Sequence, residues 1–209
     1  MPEKINLAVL ISGSGRTLQN FIDKINSGEI NAVIQIVISS NPKAYGLVRA
    51  RECSIKAEVV NPCDYDGTER FSAAINARLK ELPVDLILLA GFSHFYKIPE
   101  MYACKVMNIH PGLIPAFSGK GYYGHFVHEA AIRYGVKISG CTVHFADNKY
   151  DNGPIIVQRT VAVMENDTPD TLAEKVFMEE CIAYPEAVRL FAEGKLRLEG
   201  RKVIIGEKV

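Results

Sequence analysis

Short runs dense in valine, isoleucine and leucine alternate with segments of helical periodicity through the first half of the chain, and this alternation constrains the fold most. Ile5–Ile11, Val33–Ile38, Ala57–Val60, Leu86–Ala90 and Val106–Ile109 read as strands that are apolar on both faces. Thr17–Ile25, Leu47–Glu52 and Glu69–Leu82 read as the helices between them. Strands of that kind need cover on both sides, and strands joined through helices run parallel. The expected fold class is therefore α/β: a Rossmann-like, mostly parallel twisted sheet with helices on both faces and right-handed crossovers. With 209 residues, 48% of them hydrophobic, one sizeable core and a single domain are expected.

The grammar changes after residue 110. A glycine- and tyrosine-rich loop, SGKGYYG, is followed by a helix near His125–Tyr134 and by strands at Ser139–Phe145 and Pro154–Val163, with antiparallel pairing open to them. Thr168 before Pro169 offers a hydroxyl cap and a proline at the first helical position. That helix is expected to reach about Ala183, with Pro185 kinking or restarting it. The tail KLRLEGRKVII reads as a hairpin turning near Glu199–Gly200.

Charge narrows the partners. Lys+Arg and Asp+Glu balance at 24 each, so no broad cationic field exists for nucleic acid or an anionic membrane, and a small-molecule partner is expected. The five cysteines, Cys53, Cys63, Cys104, Cys141 and Cys181, lack a Cys-x-x-Cys pair and read as reduced thiols with no metal site. The apolar run in MPEKINLAVLISGSG is too short for a signal core or a membrane span. A cytoplasmic location follows as the expectation.

Three segments can carry chemistry. In ISGSGRTLQNFI a strand runs into a glycine-rich turn and a helix, so Gly13, Gly15, Arg16 and Thr17 offer backbone amides and a helix N-terminus to an anion such as phosphate. The spacing is neither the dinucleotide fingerprint nor a P-loop, and a plain strand-to-helix turn is an equally good account of it alone. In KVMNIHPGLIPAF, Asn108 and His110 sit two apart on a strand end and project to one face, where an amide donor and an imidazole suit addition to a carbonyl. In CTVHFADNKYDNGPII, Asp151 lies in an Asp-Asn-Gly-Pro turn from which its carboxylate could orient His110, with His144 in the preceding strand as core or as support. An isolated Asn-x-His is more often a satisfied strand end; the three segments together are far more specific.

Taken jointly, the glycine-rich loop, Asn-x-His-Pro with its downstream Leu-Ile-Pro, and Val-His-Phe followed by Asp-x-Gly-Pro make a chain that resembles the folate-dependent formyltransferases, from the first strand to Ala183-Tyr184-Pro185. It looks most like the branch in purine biosynthesis that formylates glycinamide ribonucleotide. The resemblance implies 10-formyltetrahydrofolate as co-substrate, no metal, and Asn108, His110 and Asp151 as the catalytic trio. It implies further that Asn108 donates to the oxyanion and that His110, charged through Asp151, stabilises it and protonates the leaving nitrogen. Asp151 then takes the amine proton through water. Gly15, Arg16 and Thr17 would hold the substrate phosphate and Glu180 the substrate. Folate would lie against Ser93, His94, Phe95, Tyr96, Asn108, Ala146, Asp147 and Asp151. On this reading residues 1–100 form the phosphate-binding half and residues 101–209 the catalytic and folate-binding half of one domain.

The chain departs from the family pattern in carrying His94 where many relatives have an arginine, which leaves folate contacts there to the backbone. The glycines of Ser118–Gly124 suggest a mobile lid. The expected partners are glycinamide ribonucleotide and folate, without nucleic acid or membrane, and with a homodimer left open. Rival readings are formyl transfer to methionyl-tRNA or hydrolysis of formyltetrahydrofolate, both of which need a further domain, and a nucleotide- or folate-binding protein without catalysis.

Overall fold

The computed structural model describes residues 4–206, which fall into two compact units divided between Met107 and Asn108. In the first unit β1 (Ile5–Ile11), β2 (Ala32–Ser39), β3 (Ala57–Val59) and β4 (Leu86–Leu89) lie in the order β3-β2-β1-β4, and β1 pairs in parallel with β2 and β4, as β2 does with β3. The expected βαβ alternation explains this, because α1 (Arg16–Asn26), α2 (Gly46–Glu52) and α3 (Gly67–Leu79) make the return crossings. Leu7, Val9, Leu10 and Ile11 of β1 are completely buried, as are Ile36 and Ile38 of β2. A strand covered on both faces has no polar side, which is why these runs do not alternate. The helix expected over Glu69–Leu82 begins earlier and ends at Leu79, with Lys80 as its cap.

β5 (Val106–His110) carries the chain from the first unit into the second, where it is followed in the sheet by β6 (Ile138–Phe145) and β7 (Ile155–Ala162). The β6–β7 pair is antiparallel, so the mostly parallel sheet changes direction at its end, as the altered grammar allowed. Their register shifts between Val143 and His144, a bulge-type irregularity that re-aims the following side chain. Helix α5 (Pro169–Ala192) packs on β6 and β7 and against α4 (His125–Tyr134). A small antiparallel hairpin, β8 (Leu196–Glu199) with β9 (Lys202–Ile205), turns at Gly200 with φ 60°.

One expectation fails. Helix α5 does not stop near Ala183 but continues as a single 24-residue helix through Pro185 to Ala192. Pro185 lacks an amide and cannot donate in the ladder, yet it is buried together with Val176, Ala183, Tyr184, Ala187 and Val188. Burial of that apolar stripe outweighs the local penalty, an override of propensity by packing.

The start of α5 is held by a reciprocal cap: Thr168 Oγ1 accepts from the Thr171 amide at 3.2 Å, and Thr171 Oγ1 accepts from the Thr168 amide at 2.9 Å. Thr168→Ala is expected to destabilise the protein by about 1 kcal/mol, read as a lower urea midpoint at unchanged slope.

Candidate active site

The carboxyl ends of β1, β2 and β4 converge within the first unit through serines. Ser12 Oγ lies 2.6 Å from Ser40 Oγ and accepts from the Ser93 amide at 2.9 Å. Asn41 Nδ2 donates to the Ser12 carbonyl at 3.3 Å. Gly13 to Thr17 follow directly, and α1 opens at Arg16 with Gly15 as its cap at φ 71°. No acidic side chain sits in that first turn, so nothing there repels an anion. Gly15 has a second reason to be glycine: a Cβ there would lie 2.6 Å from the Gly46 Cα. The loop is thus keyed into the start of α2, and the Gly46 amide donates to the Gly13 carbonyl at 3.1 Å. Arg49, which the sequence reading missed, braces the same loop by donating to the Ser14 carbonyl at 3.0 Å and to Gln19 at 3.1 Å.

His94 is exposed, with Nδ1 3.2 Å from both Ser93 Oγ and Ser40 Oγ and its ring edge-on to Phe71. The Tyr96 side chain is turned inward, its hydroxyl donating to Asn76 at 2.5 Å, and burial holds that phenol well above its ordinary pKa. Arg70 is an exposed charge 3.8 Å from Asp66, one turn away.

In the second unit the structure brings together Asn108, His110, Asp151 and His144. Asp151 stands in the left-handed region at φ 48°, and Gly153 behind it is packed so closely that a Cβ would fall 1.7 Å from the Phe145 carbonyl oxygen. The turn is further tied by Asp147, which accepts from the Lys149 amide at 2.9 Å and from Asn152 Nδ2 at 2.6 Å. Asp151 Oδ2 accepts from the Gly119 amide at 2.8 Å and lies 3.4 Å from His110 Nδ1. Its Oδ1 lies 3.4 Å from Asn108 Nδ2 and 3.7 Å from His144 Nε2.

His144 is buried, and its Nδ1 faces the Phe145 carbonyl at 2.9 Å. A carbonyl cannot donate, so Nδ1 carries the hydrogen, and in the neutral ring Nε2 accepts from Asn108 Nδ2 at 3.2 Å. His144 is thus both a buried strand residue and a partner of Asn108. The same logic applies to His110, whose Nε2 donates to the Phe117 carbonyl at 2.9 Å. Phe117 and Gly119 therefore lay the loop after β5 across both His110 and Asp151, with Phe117 at φ 47° and its ring edge-on to Tyr122 and Tyr134. Sequence alone offered only the glycines of that loop as a signal.

Burial works against the charge expected on His110. His110 is 3% exposed, and burial lowers its basicity more than Asp151 and the Phe117 carbonyl raise it, so it is held below the ordinary histidine range. At 3.4 Å the carboxylate is too far for a strong hydrogen bond and offsets the burial only in part. His110 is accordingly neutral at pH 7, whereas Asp151 is ionised. Burial alone would raise the Asp151 pKa, yet it lies below the usual carboxylate value, with the Gly119 amide donating to Oδ2. Glu180 lies half-buried on α5, where its charge is felt by Cys141. Burial, then Glu180, push that completely buried thiol up to about 12. All five cysteines are free thiols. Among the described residues no cluster of three His, Cys, Asp or Glu side chains is placed to hold a metal ion, and no helix is long and apolar enough to cross a membrane.

Comparison with known proteins gives the family of the chain. The formyl transferase family profile matches residues 5–188, and the chain belongs to that family. It is 37% identical over 195 residues to the phosphoribosylglycinamide formyltransferase of Haemophilus influenzae, covering 92% of this chain and 90% of that protein. Glycinamide ribonucleotide transformylase 1 from Symbiobacterium toebii matches in three dimensions with a TM-score of 0.91 at 43% identity, over 97% of this chain and 94% of that one. The human trifunctional purine biosynthetic protein adenosine-3 is 38% identical over 198 residues, 94% of this chain, which spans 19% of that protein's length.

His128 on α4 gives the site a measurable pH dependence. It is 4% exposed, its Nδ1 has no hydrogen-bond partner, and burial, with His125 and His110, lowers its pKa from 6.5 to about 4. An unfolded chain protonates this residue below pH 6.5 and the folded protein only near pH 4, so the unfolded state binds more protons in that window. Stability present above pH 6.5 should fall as the pH drops toward 4, by on the order of 3 kcal/mol from this residue, with His110 acting in the same direction. Denaturant titrations at pH 7 and pH 4.5 are expected to show the loss, and His128→Gln to reduce it.

Proposed function

We propose that the chain acts, as one formyltransferase domain, to transfer the formyl group of 10-formyltetrahydrofolate to the amine of glycinamide ribonucleotide in purine biosynthesis, in the cytoplasm. The observation that carries this reading is the convergence of Asn108, His110 and Asp151 within the second unit. Family membership and the likeness to proteins named for this activity support it.

The reaction needs an amine nitrogen to form a bond to the formyl carbon while the carbonyl electrons move onto oxygen, and then the bond from that carbon to the folate nitrogen to break. The net proton movement is from the amine to the leaving nitrogen. Asn108 Nδ2 directs hydrogens toward His144 and Asp151 at 3.2 and 3.4 Å, and the longer of these contacts is weak enough to be redirected to a developing oxyanion. His110 Nε2 already donates to a carbonyl oxygen, that of Phe117. In the working state the loop yields that place, and the same hydrogen meets the formyl oxygen. Asp151, ionised at neutral pH, takes the amine proton through a water. It returns that proton to Nδ1 of neutral His110, which delivers its Nε2 hydrogen to the leaving nitrogen. The neutral ring therefore acts as a relay and gains one proton for the one it gives.

For binding, the proposal assigns the substrate phosphate to Gly13, Gly15, Arg16 and Thr17, the substrate to Glu180, and the folate to Ser93–Tyr96 and to Ala146, Asp147 and Asp151. The backbone amides at the start of α1 attract an anion through their alignment.

The deciding experiment is an absorbance assay of folate release with and without glycinamide ribonucleotide. Release that requires the amine is expected. Release without it would mark a hydrolase, and its absence in both arms a binding protein. Asp151→Asn should keep the fold and lower turnover by about 10²–10⁴, because the variant cannot take a proton. Asn108→Ala should lower it by about 10²–10³ for one lost oxyanion donor. Gly13→Ala adds a Cβ that meets nothing within 4 Å. It is expected to raise the KM for the phosphorylated substrate about tenfold, equivalent to roughly 1.4 kcal/mol, and to leave that for folate unchanged; a change confined to folate would reverse the two assignments.

A further inference from the structure

Thr142, in the middle of β6, is completely buried although it is polar. Its hydroxyl donates to the Gly112 carbonyl at 2.7 Å and accepts from the Ile114 amide at 3.1 Å and from Gln158 Nε2 at 3.0 Å. A hydroxyl can donate once and accept twice, so its capacity is filled, and the direction of its hydrogen is thereby fixed. Gln158 Nε2 also donates to the Ile114 carbonyl at 3.1 Å. The two side chains thus grip both ends of the Gly112–Ile114 turn from neighbouring strands β6 and β7.

What that turn supports is the His110 ring. Gly112 lies so close beneath it that a Cβ built there would be 2.9 Å from His110 Nε2 and 3.2 Å from Cδ2, with Val127 Cγ1 of α4 3.1 Å away on another side. The ring therefore rests on the main chain of Gly112, and a shift of that main chain moves the Nε2 hydrogen that the reaction uses. Loss of the hydroxyl would leave the Gly112 carbonyl and the Ile114 amide without a side-chain partner at a fully buried position, where unpaired polar groups are costly and the backbone moves to relieve them.

We propose that Thr142, with Gln158 behind it, is a positioning residue that sets the plane of the His110 imidazole by clamping the turn at Gly112. The inference rests on the reading of His110 as the reacting imidazole. It predicts a defect in turnover with little change in binding, because neither side chain is assigned to a substrate.

Thr142→Val keeps the shape and removes the hydroxyl; Thr142→Ser keeps the hydroxyl and removes a methyl. Thr142→Val is expected to lower kcat by about ten- to a hundredfold, the scale of a small misplacement of a reacting group, with KM for both substrates within about twofold. Thr142→Ser should return kcat to within about threefold of the parent, and Gln158→Met, at an exposed position, should lower kcat by about three- to tenfold. If Thr142→Val is not obtained folded, Gln158→Met carries the test. Unchanged kcat in these variants, or equal losses in Thr142→Val and Thr142→Ser, would overturn the proposal. His110→Ala, measured alongside, separates the two levels: full activity there removes the catalytic reading itself, whereas lost activity there with normal Thr142→Val and Gln158→Met turnover removes only the clamp.

Discussion

A single half-buried carboxylate organises the second unit. Asp151 gathers the Gly119 amide, His110, Asn108 and His144 around its two oxygens, from β5, β6 and the loop after β5. Removing a charge from water is costly unless donors replace the lost hydration. The surrounding turn is correspondingly constrained, with a left-handed Asp151, a glycine against the Phe145 carbonyl, and Arg201 donating to the Asn152 carbonyl at 2.7 Å. Each histidine uses one ring nitrogen on a main-chain carbonyl and turns the other toward the Asp151 neighbourhood. Geometry around Asp151 is thus set largely by main chain, which holds position better than long side chains do.

Much of this was legible in the sequence, for a physical reason. Strands buried on both faces must be continuously apolar, and β1 begins and ends where its apolar run does, at Ile5 and Ile11. The cap at Thr168 and the turn at Gly200 are local chemistry, and both stand where local rules put them. The two-residue spacing of Asn108 and His110 likewise projects them to one carboxylate. What escaped is what depends on contacts distant in sequence. Pro185 stays inside a helix because the surface beneath it is apolar. His110 is neutral because burial outweighs a carboxylate that is near but not touching. The Phe117 carbonyl carries no sequence signal, since every residue has one.

The glycine-rich loop shows how one residue type can satisfy two demands. Gly15 supplies the positive φ at the start of α1 and lets the Gly46 backbone approach, whereas Gly13 faces open space. The first is a packing constraint and the second leaves room for a ligand. Identical letters in a motif therefore differ in what they tolerate. The side chain that braces this loop, Arg49, comes from a helix and lies 35 residues after Ser14, outside the motif.

The distribution of thiols gives the molecule a built-in reporter. Cys53, Cys63 and Cys104 are exposed and belong to the first unit, while Cys141 is completely buried on β6 of the second and is a poor nucleophile there. A thiol-specific reagent in water would label the three surface sites quickly, since it requires access and the thiolate form. It would reach Cys141 only during those rare moments when the strand that carries Thr142 and His144 is exposed. The slow phase of labelling, located by peptide mapping, would then clock the opening of that strand in the intact protein without an added probe.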